Sequence, residues 1–218
     1  EETYEYFKND LLVTDEKYRL ARGVADCEER IIATSKPDSF SLYISIPFCP
    51  SRCSYCSFVS HSIENEKARN LLPQYVEYLV KELELTGEIA KANSFKLESV
   101  YVGGGTPSTL FAEQLGIITD TVNKHFDLST CREFTVEAGR PDTITEEKLR
   151  VLKNSPVDRI SINPQTFANS VLQAVGRRHS AEDTVKIFEL ARKIGFNNIN
   201  MDLIAGLPTD TYEGFCNS

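Results

Sequence analysis

Cys49, Cys53 and Cys56 stand in the run Ile46-Pro47-Phe48-Cys49-Pro50-Ser51-Arg52-Cys53-Ser54-Tyr55-Cys56, a C-x3-C-x2-C spacing. Thiolates hold iron–sulfur clusters, and a 4Fe–4S cluster ordinarily takes four of them. Three thiolates this close can hold three irons and leave the fourth open. An open iron binds a small molecule, which turns an electron carrier into a catalyst. A structural zinc site is the competing reading, but zinc prefers paired C-x2-C units, and the chain has no second pair. A disulfide set or a chance grouping remain as alternatives. The other cysteines, Cys27, Cys131 and Cys216, are scattered and read as ordinary buried thiols rather than ligands.

Further chemistry-bearing residues recur along the chain. Gly103-Gly104-Gly105-Thr106-Pro107 lets backbone approach a neighbour closely, because no Cβ intervenes. It matches neither the phosphate-binding nor the dinucleotide glycine pattern, so the plain alternative is a tight strand-to-helix turn. Glu137-Ala138-Gly139-Arg140-Pro141 offers a carboxylate for ribose hydroxyls or an amino group, and an arginine for pairing with a carboxylate. Gln165 can both donate and accept. Gly176-Arg177-Arg178-His179 reads as a surface charge cluster, most plainly at Arg178. Asp202 lies among apolar neighbours, and a buried Asp needs a donor. Tyr43 reads as a core or barrel-lining aromatic.

The elements that must position these residues alternate regularly. Strands are expected at 42–46, 99–102, 133–137, 159–162 and 198–204. Helices are expected at 71–92, 110–125, 146–153 and 180–194. Thr145 caps the third helix, Ser180 with Asp183 opens the fourth, and Gly195 closes it. Five strands alternating with helices imply a parallel sheet with helices outside it and right-handed crossovers. In such barrels function sits at the C-terminal ends of the strands, where each cluster above falls. Residues 1–40 are polar, with a helical stripe from Asp15 to Ile32, and read as a linker or the remnant of an upstream domain. Residues 41–218 form the core.

The formal net charge of −8 argues against general nucleic-acid binding. An anionic substrate must then be met by local arginines. No apolar run approaches the roughly 20 residues of a membrane span, and no signal peptide is visible. Six cysteines without secretory signals point to a reducing compartment, hence the cytoplasm. The absent initiator methionine and the helix beginning near the last residues read as a piece of a longer protein.

The cysteine motif, with Tyr55 in its aromatic slot, resembles that of the radical S-adenosylmethionine (SAM) enzymes. From Leu42 to Pro208 the chain is similar to the oxygen-independent coproporphyrinogen III oxidase family, closest in wording to its coproporphyrinogen dehydrogenase subgroup. The carrying residues are Tyr43-x-x-Ile46-Pro47-Phe48-Cys49, Gly103 to Pro107, Glu137, Arg159-Ile160-Ser161, Gln165, Gly176-Arg177, and Asp202 with Gly206-Leu207-Pro208. Thr106 stands where most of the superfamily has Glu, and Ser57 and Phe58 stand where the best-characterised branch has a further cysteine. The resemblance implies an α/β fold, a partial parallel (β/α)6 barrel cut to about five βα units and incomplete at its C-terminal end. It implies a 4Fe–4S cluster on Cys49, Cys53 and Cys56. It implies one SAM contacted by Tyr43, Gly104 and Glu137, and a second by Tyr55, Gly105, Thr106, Gln165, Arg177 and Asp202. The implied reaction is radical oxidative decarboxylation of coproporphyrinogen III propionates to vinyl groups, with a tetrapyrrole substrate positioned by arginines such as Arg140 or Arg52. Flavodoxin or ferredoxin is the implied kind of electron donor. The same resemblance also admits a haem-binding chaperone, since Tyr55-Cys56-x-Phe58 is similar to that branch, or an enzyme acting on another tetrapyrrole.

Overall fold

A strand with one face on an apolar core alternates apolar and other residues, and Val100-Tyr101-Val102, Phe134-Thr135-Val136 and Ile160-Ser161-Ile162 do so. In the computed structural model, which describes residues 2–218, they form one five-stranded sheet. The strands are β1 (Ser39–Ile46), β2 (Lys96–Gly104), β3 (Glu133–Gly139), β4 (Arg159–Ile162) and β5 (Asn198–Asn200), adjacent in chain order. The pairs β2–β3, β3–β4 and β4–β5 are parallel.

The chain divides into two units, one ending at Ser39 and one running from Phe40 to Ser218. In the first, α1 (Asp15–Ile32) is capped by the Thr14 hydroxyl, which accepts from the Lys17 N–H, and none of its residues is buried. Tyr18 packs edge-on against Tyr4 and Phe7.

In the second unit the connecting helices are α2 (Glu66–Ala92), α3 (Ala112–His125), α4 (Glu146–Lys153), α5 (Asn169–Ala174) and α6 (Ala181–Ile194). Aliphatic residues pack between helices and sheet: Leu72, Val76, Leu79 and Leu83 of α2, Leu115, Ile118 and Val122 of α3, and Leu149 and Leu152 of α4 meet Val100, Val102, Phe134, Val136, Ile160 and Ile162. Successive strand residues point to opposite faces, so the other face carries a polar row. The registers Tyr101↔Thr135, Glu137↔Ser161 and Ser161↔Asn200 run across it. The expected caps are present. Thr145 accepts from Lys148 N–H, Ser180 and Asp183 form a reciprocal capping box, and Gly195 ends α6 at φ +107°.

β1, β2 and β3 run beyond the expected 42–46, 99–102 and 133–137, and three further differences matter more. α2 starts five residues earlier than Leu71, because the Asn65 side chain accepts from the N–H groups of Lys67 and Ala68. β5 stops at Asn200 rather than Ile204, and only an isolated bridge between Gln165 and Leu203 continues the pairing. α5, in the stretch between Gln165 and Arg177, was not foreseen, since six residues carry little periodicity. Among the described residues, no helix is long and apolar enough to cross a membrane.

Candidate active site

The cysteine loop is shaped by backbone bonds on three sides. Phe48–Cys49 pairs with His61–Ser62 as a short parallel ladder. Gly105 N–H donates to the Ile46 carbonyl and Thr106 N–H to the Phe48 carbonyl, both at 2.8 Å. Ser54 N–H donates to the carbonyl of Val175, just past α5, at 3.1 Å. The glycine run is what allows this approach. A Cβ on Gly105 would lie 2.7 Å from the Phe48 carbonyl oxygen and 2.9 Å from Cys49 Sγ. Gly104 adopts φ +105°, and its Cβ would lie 2.9 Å from the Ile46 nitrogen. The glycines therefore serve close packing of backbone behind the cysteines as well as the turn.

Above this loop a cleft of about 250 Å³ opens. It is lined by Cys49, Cys53, Cys56, Tyr55, Gly104, Gly105, Thr106, Glu137, Gln165, Arg177 and Asp202, so every residue singled out for cluster or SAM contact reaches it except Tyr43. Tyr43 lies beside it, stacked on Tyr101 with ring centroids 5.9 Å apart. Tyr101 donates a hydrogen bond to Glu137 Oε1. Burial, with the nearby Asp202 charge, raises the Glu137 carboxyl above its ordinary value, while the Tyr101 hydrogen bond opposes the rise. Burial and the Glu137 contact raise the Tyr101 phenol strongly, so Tyr101 stays a donor at neutral pH.

On the opposite wall Arg177 donates from Nη2 to the Tyr55 hydroxyl at 2.8 Å and from Nη1 to the Asn163 carbonyl at 3.1 Å. Burial pushes the Tyr55 phenol up to about 12 despite the opposing Arg177 charge, so it accepts from Arg177 as a neutral phenol. Gln165 takes the left-handed backbone region at φ +71°. Its N–H donates to the Asp202 carbonyl, and its own carbonyl accepts from Ile204 N–H, each at 2.9 Å. Two functional candidates from different strand ends are thereby tied together. Asn163 Oδ1 is buried in this wall with no protein partner.

The structure corrects several expectations. Asp202 is exposed, and its carboxylate takes the Asn200 Nδ2 donor at 2.7 Å, because β5 ends before reaching it. Arg140 is not available to a substrate: it is buried and fully engaged with Asp142 and Ser51. His179 is buried rather than part of a surface cluster, whereas Arg178 is exposed and pairs with Glu64. Cys27 and Cys216 are exposed and Cys131 half-buried, so none is an ordinary core thiol. Tyr101 and Asp142 were missed. The signal for Tyr101 was present, since it alternates with Val100 and Val102 and so shares the face of Glu137.

The family model for the radical SAM superfamily matches residues 43–217, and the chain belongs to that superfamily. Within it, the chain is 41% identical over 221 aligned positions, taking in all of its length, to the "Oxygen-independent coproporphyrinogen-III oxidase-like protein HemZ" of Bacillus subtilis. It is 41% identical to the "Heme chaperone HemW" of the same organism over 174 positions, 79% of the chain. Both alignments cover 44% of the relative, so the chain spans less than half the length of these curated relatives. The solved structure of coproporphyrinogen III oxidase (HemN) from Escherichia coli, described as a radical SAM enzyme, superposes with a TM-score of 0.71 at 29% identity, covering 81% of this chain and 39% of that one.

Members of this superfamily use a 4Fe–4S cluster and SAM. The residues present fit both. The three thiols of the motif are free and open onto one cleft. In a cluster the thiolates each take a different iron; among the described residues no three His, Cys, Asp or Glu side chains form a site for a single metal ion. The partnerless Asn163 amide oxygen and the Glu137 carboxylate give the polar cleft acceptors for a ligand bearing amino and hydroxyl groups.

Proposed function

We propose that this chain carries the catalytic core of a radical SAM enzyme that decarboxylates two propionates of coproporphyrinogen III to vinyl groups, giving protoporphyrinogen IX. The observation that carries the reading is the convergence of the cysteine loop and the ends of β2, β3 and β4 on one cleft. Its support among relatives is the oxidase-like protein that aligns along all of the chain.

A bound, reduced cluster with SAM would supply a 5′-deoxyadenosyl radical for hydrogen-atom removal from a propionate β-carbon, and loss of CO2 to leave the vinyl group would pass the remaining electron to a one-electron acceptor. Cys49, Cys53 and Cys56 would hold the cluster. Glu137, fixed by Tyr101, accepts from the amino or ribose hydroxyl groups of SAM. Tyr43 and the Gly104 backbone border the same ligand. Tyr55, Gly105, Thr106, Gln165, Arg177 and Asp202 form the wall assigned to a second SAM. Arg140 being engaged, Arg52 takes the substrate role. It is exposed and lines the cleft, and its fork suits a propionate. A redox protein such as flavodoxin or ferredoxin is the proposed electron donor.

A haem-carrying chaperone is the second reading, favoured by the 41% identity to HemW. One experiment separates them: anaerobic iron–sulfur reconstitution of the intact protein, then SAM, reductant and coproporphyrinogen III, read by mass spectrometry with Cys53→Ala as control. Loss of two CO2 units with 5′-deoxyadenosine formation is expected. No porphyrin conversion there, with haem added to the same protein in a parallel sample binding stoichiometrically by absorbance, would replace the decarboxylase with the chaperone.

A further inference from the structure

Arg140 is 3% exposed, and every guanidinium nitrogen is engaged. Nε donates to Asp142 Oδ1 at 3.0 Å and Nη2 to Asp142 Oδ2 at 2.9 Å, a bidentate pair. Nη1 faces the other way, donating to Ser51 Oγ at 2.8 Å and to the Ser51 carbonyl at 3.3 Å, and it lies 4.0 Å from Cys53 Sγ. The buried His179 stands behind the carboxylate, its Nδ1 3.7 Å from Asp142 Oδ1. The assembly is therefore an ordered ion pair with its positive end on a motif cysteine and its negative end turned away.

Such a pair has a poor stability rationale. Burying two charges costs several kcal/mol each, and well-packed apolar residues often do as well. A reason tied to the sulfur is stronger. Cluster potentials respond to net charge and to hydrogen bonds at the ligand sulfurs, and groups behind the ligands set ligand orientation. Adding one electron to a cluster adds one negative charge. A fixed cation about 4 Å from a ligand sulfur stabilises that state more than the oxidised one, and burial keeps the effect from being screened.

We propose that Arg140 is a positioning residue for the cluster, its fixed charge held beside Cys53 Sγ so that the reduced state is favoured. The proposal rests on the cluster reading above. Asp142 orients the guanidinium. Burial alone raises its carboxyl, but the two Arg140 hydrogen bonds and the Arg140 charge, with His179 Nδ1 3.7 Å away, outweigh burial and hold it well below the usual carboxylate range.

The test is an EPR-monitored dithionite titration of the reconstituted, intact protein without SAM or substrate, alongside iron content and thermal unfolding. Arg140→Gln is expected to lower the equilibrium constant for reduction at least tenfold, about 59 mV more negative for one electron. Arg140→Lys, which keeps the charge and loses the fork, should recover most of the shift. Ser51→Ala, which keeps the charge and loses one loop contact, should leave the midpoint unchanged. A wild-type midpoint in an iron-replete Arg140→Gln protein overturns the proposal, as does Ser51→Ala shifting it equally. Should Arg140→Gln fail to fold or load iron, Arg140→Lys decides: loading with a near-wild-type midpoint upholds the role of charge, and failure to load reduces Arg140 to a structural clamp. A wild-type protein without a 4Fe–4S signal refutes the cluster reading, and this proposal with it.

Discussion

Glu137 shows how one carboxylate is prepared by its neighbours. Burial raises its pKa and the Tyr101 hydroxyl lowers it, so removing the hydroxyl raises it further. An ionised carboxylate accepts from cationic and hydroxyl donors more strongly than its protonated form, so SAM binding weakens as pH falls through the Glu137 pKa. Tyr101→Phe should therefore move the acid limb of SAM affinity to higher pH, measured by calorimetric titration across pH; an unmoved limb would separate Glu137 from SAM binding. Asp142 has the opposite sign. Its pKa is depressed in the folded protein, so its stabilising contribution is present above the unfolded carboxylate value near pH 4 and is lost as pH falls below it. Asp142→Asn leaves Arg140 buried without its counter-charge and should cost about 3–5 kcal/mol in denaturant unfolding at pH 7. That penalty should shrink in acid, where the wild-type carboxylate also protonates.

At the scale of elements, the glycine run is the part whose meaning changed most between sequence and structure. Three successive glycines could be read as a turn or as room for a ligand, and nothing local says that Gly105 packs on the Phe48 carbonyl and Cys49 Sγ. That contact joins β2 to a loop some fifty residues earlier. Gly105→Ala forces a methyl into it and should cost about 1–3 kcal/mol, with a matching loss of bound iron after reconstitution; wild-type stability and iron content would show the loop free to yield. The first four strands and α3 were legible by their periodicity, and α1, α4 and α6 by periodicity together with caps. The start of α2 was legible only through Asn65, a cap without a matching apolar stripe beside it. Asp202 was misjudged for a related reason: Leu203 and Ile204 suggest a continuing strand, but β5 ends at Asn200 and only the isolated Gln165–Leu203 bridge follows. The three cysteines were legible because ligand spacing is local. Arg140 was not, because its partners Ser51 and Asp142 lie on different loops.

For the whole molecule, charge frames recognition. The chain has a net charge of −8, and the proposed tetracarboxylate substrate would approach that field unfavourably. On that proposal Arg52, exposed on the cleft, is the local answer, and Arg52→Ala should raise KM for coproporphyrinogen roughly tenfold, the effect of about 1.4 kcal/mol, with SAM affinity unchanged. Equal KM values would move substrate recognition to another part of the protein. The most direct test of radical chemistry on this substrate is isotopic. Coproporphyrinogen III carrying deuterium on the propionate β-carbons is turned over anaerobically with SAM and reductant, and the released 5′-deoxyadenosine is weighed by mass spectrometry. Deuterium in the 5′-deoxyadenosine, absent with Cys53→Ala, is the predicted result; 5′-deoxyadenosine formed without deuterium would contradict hydrogen abstraction from the propionates.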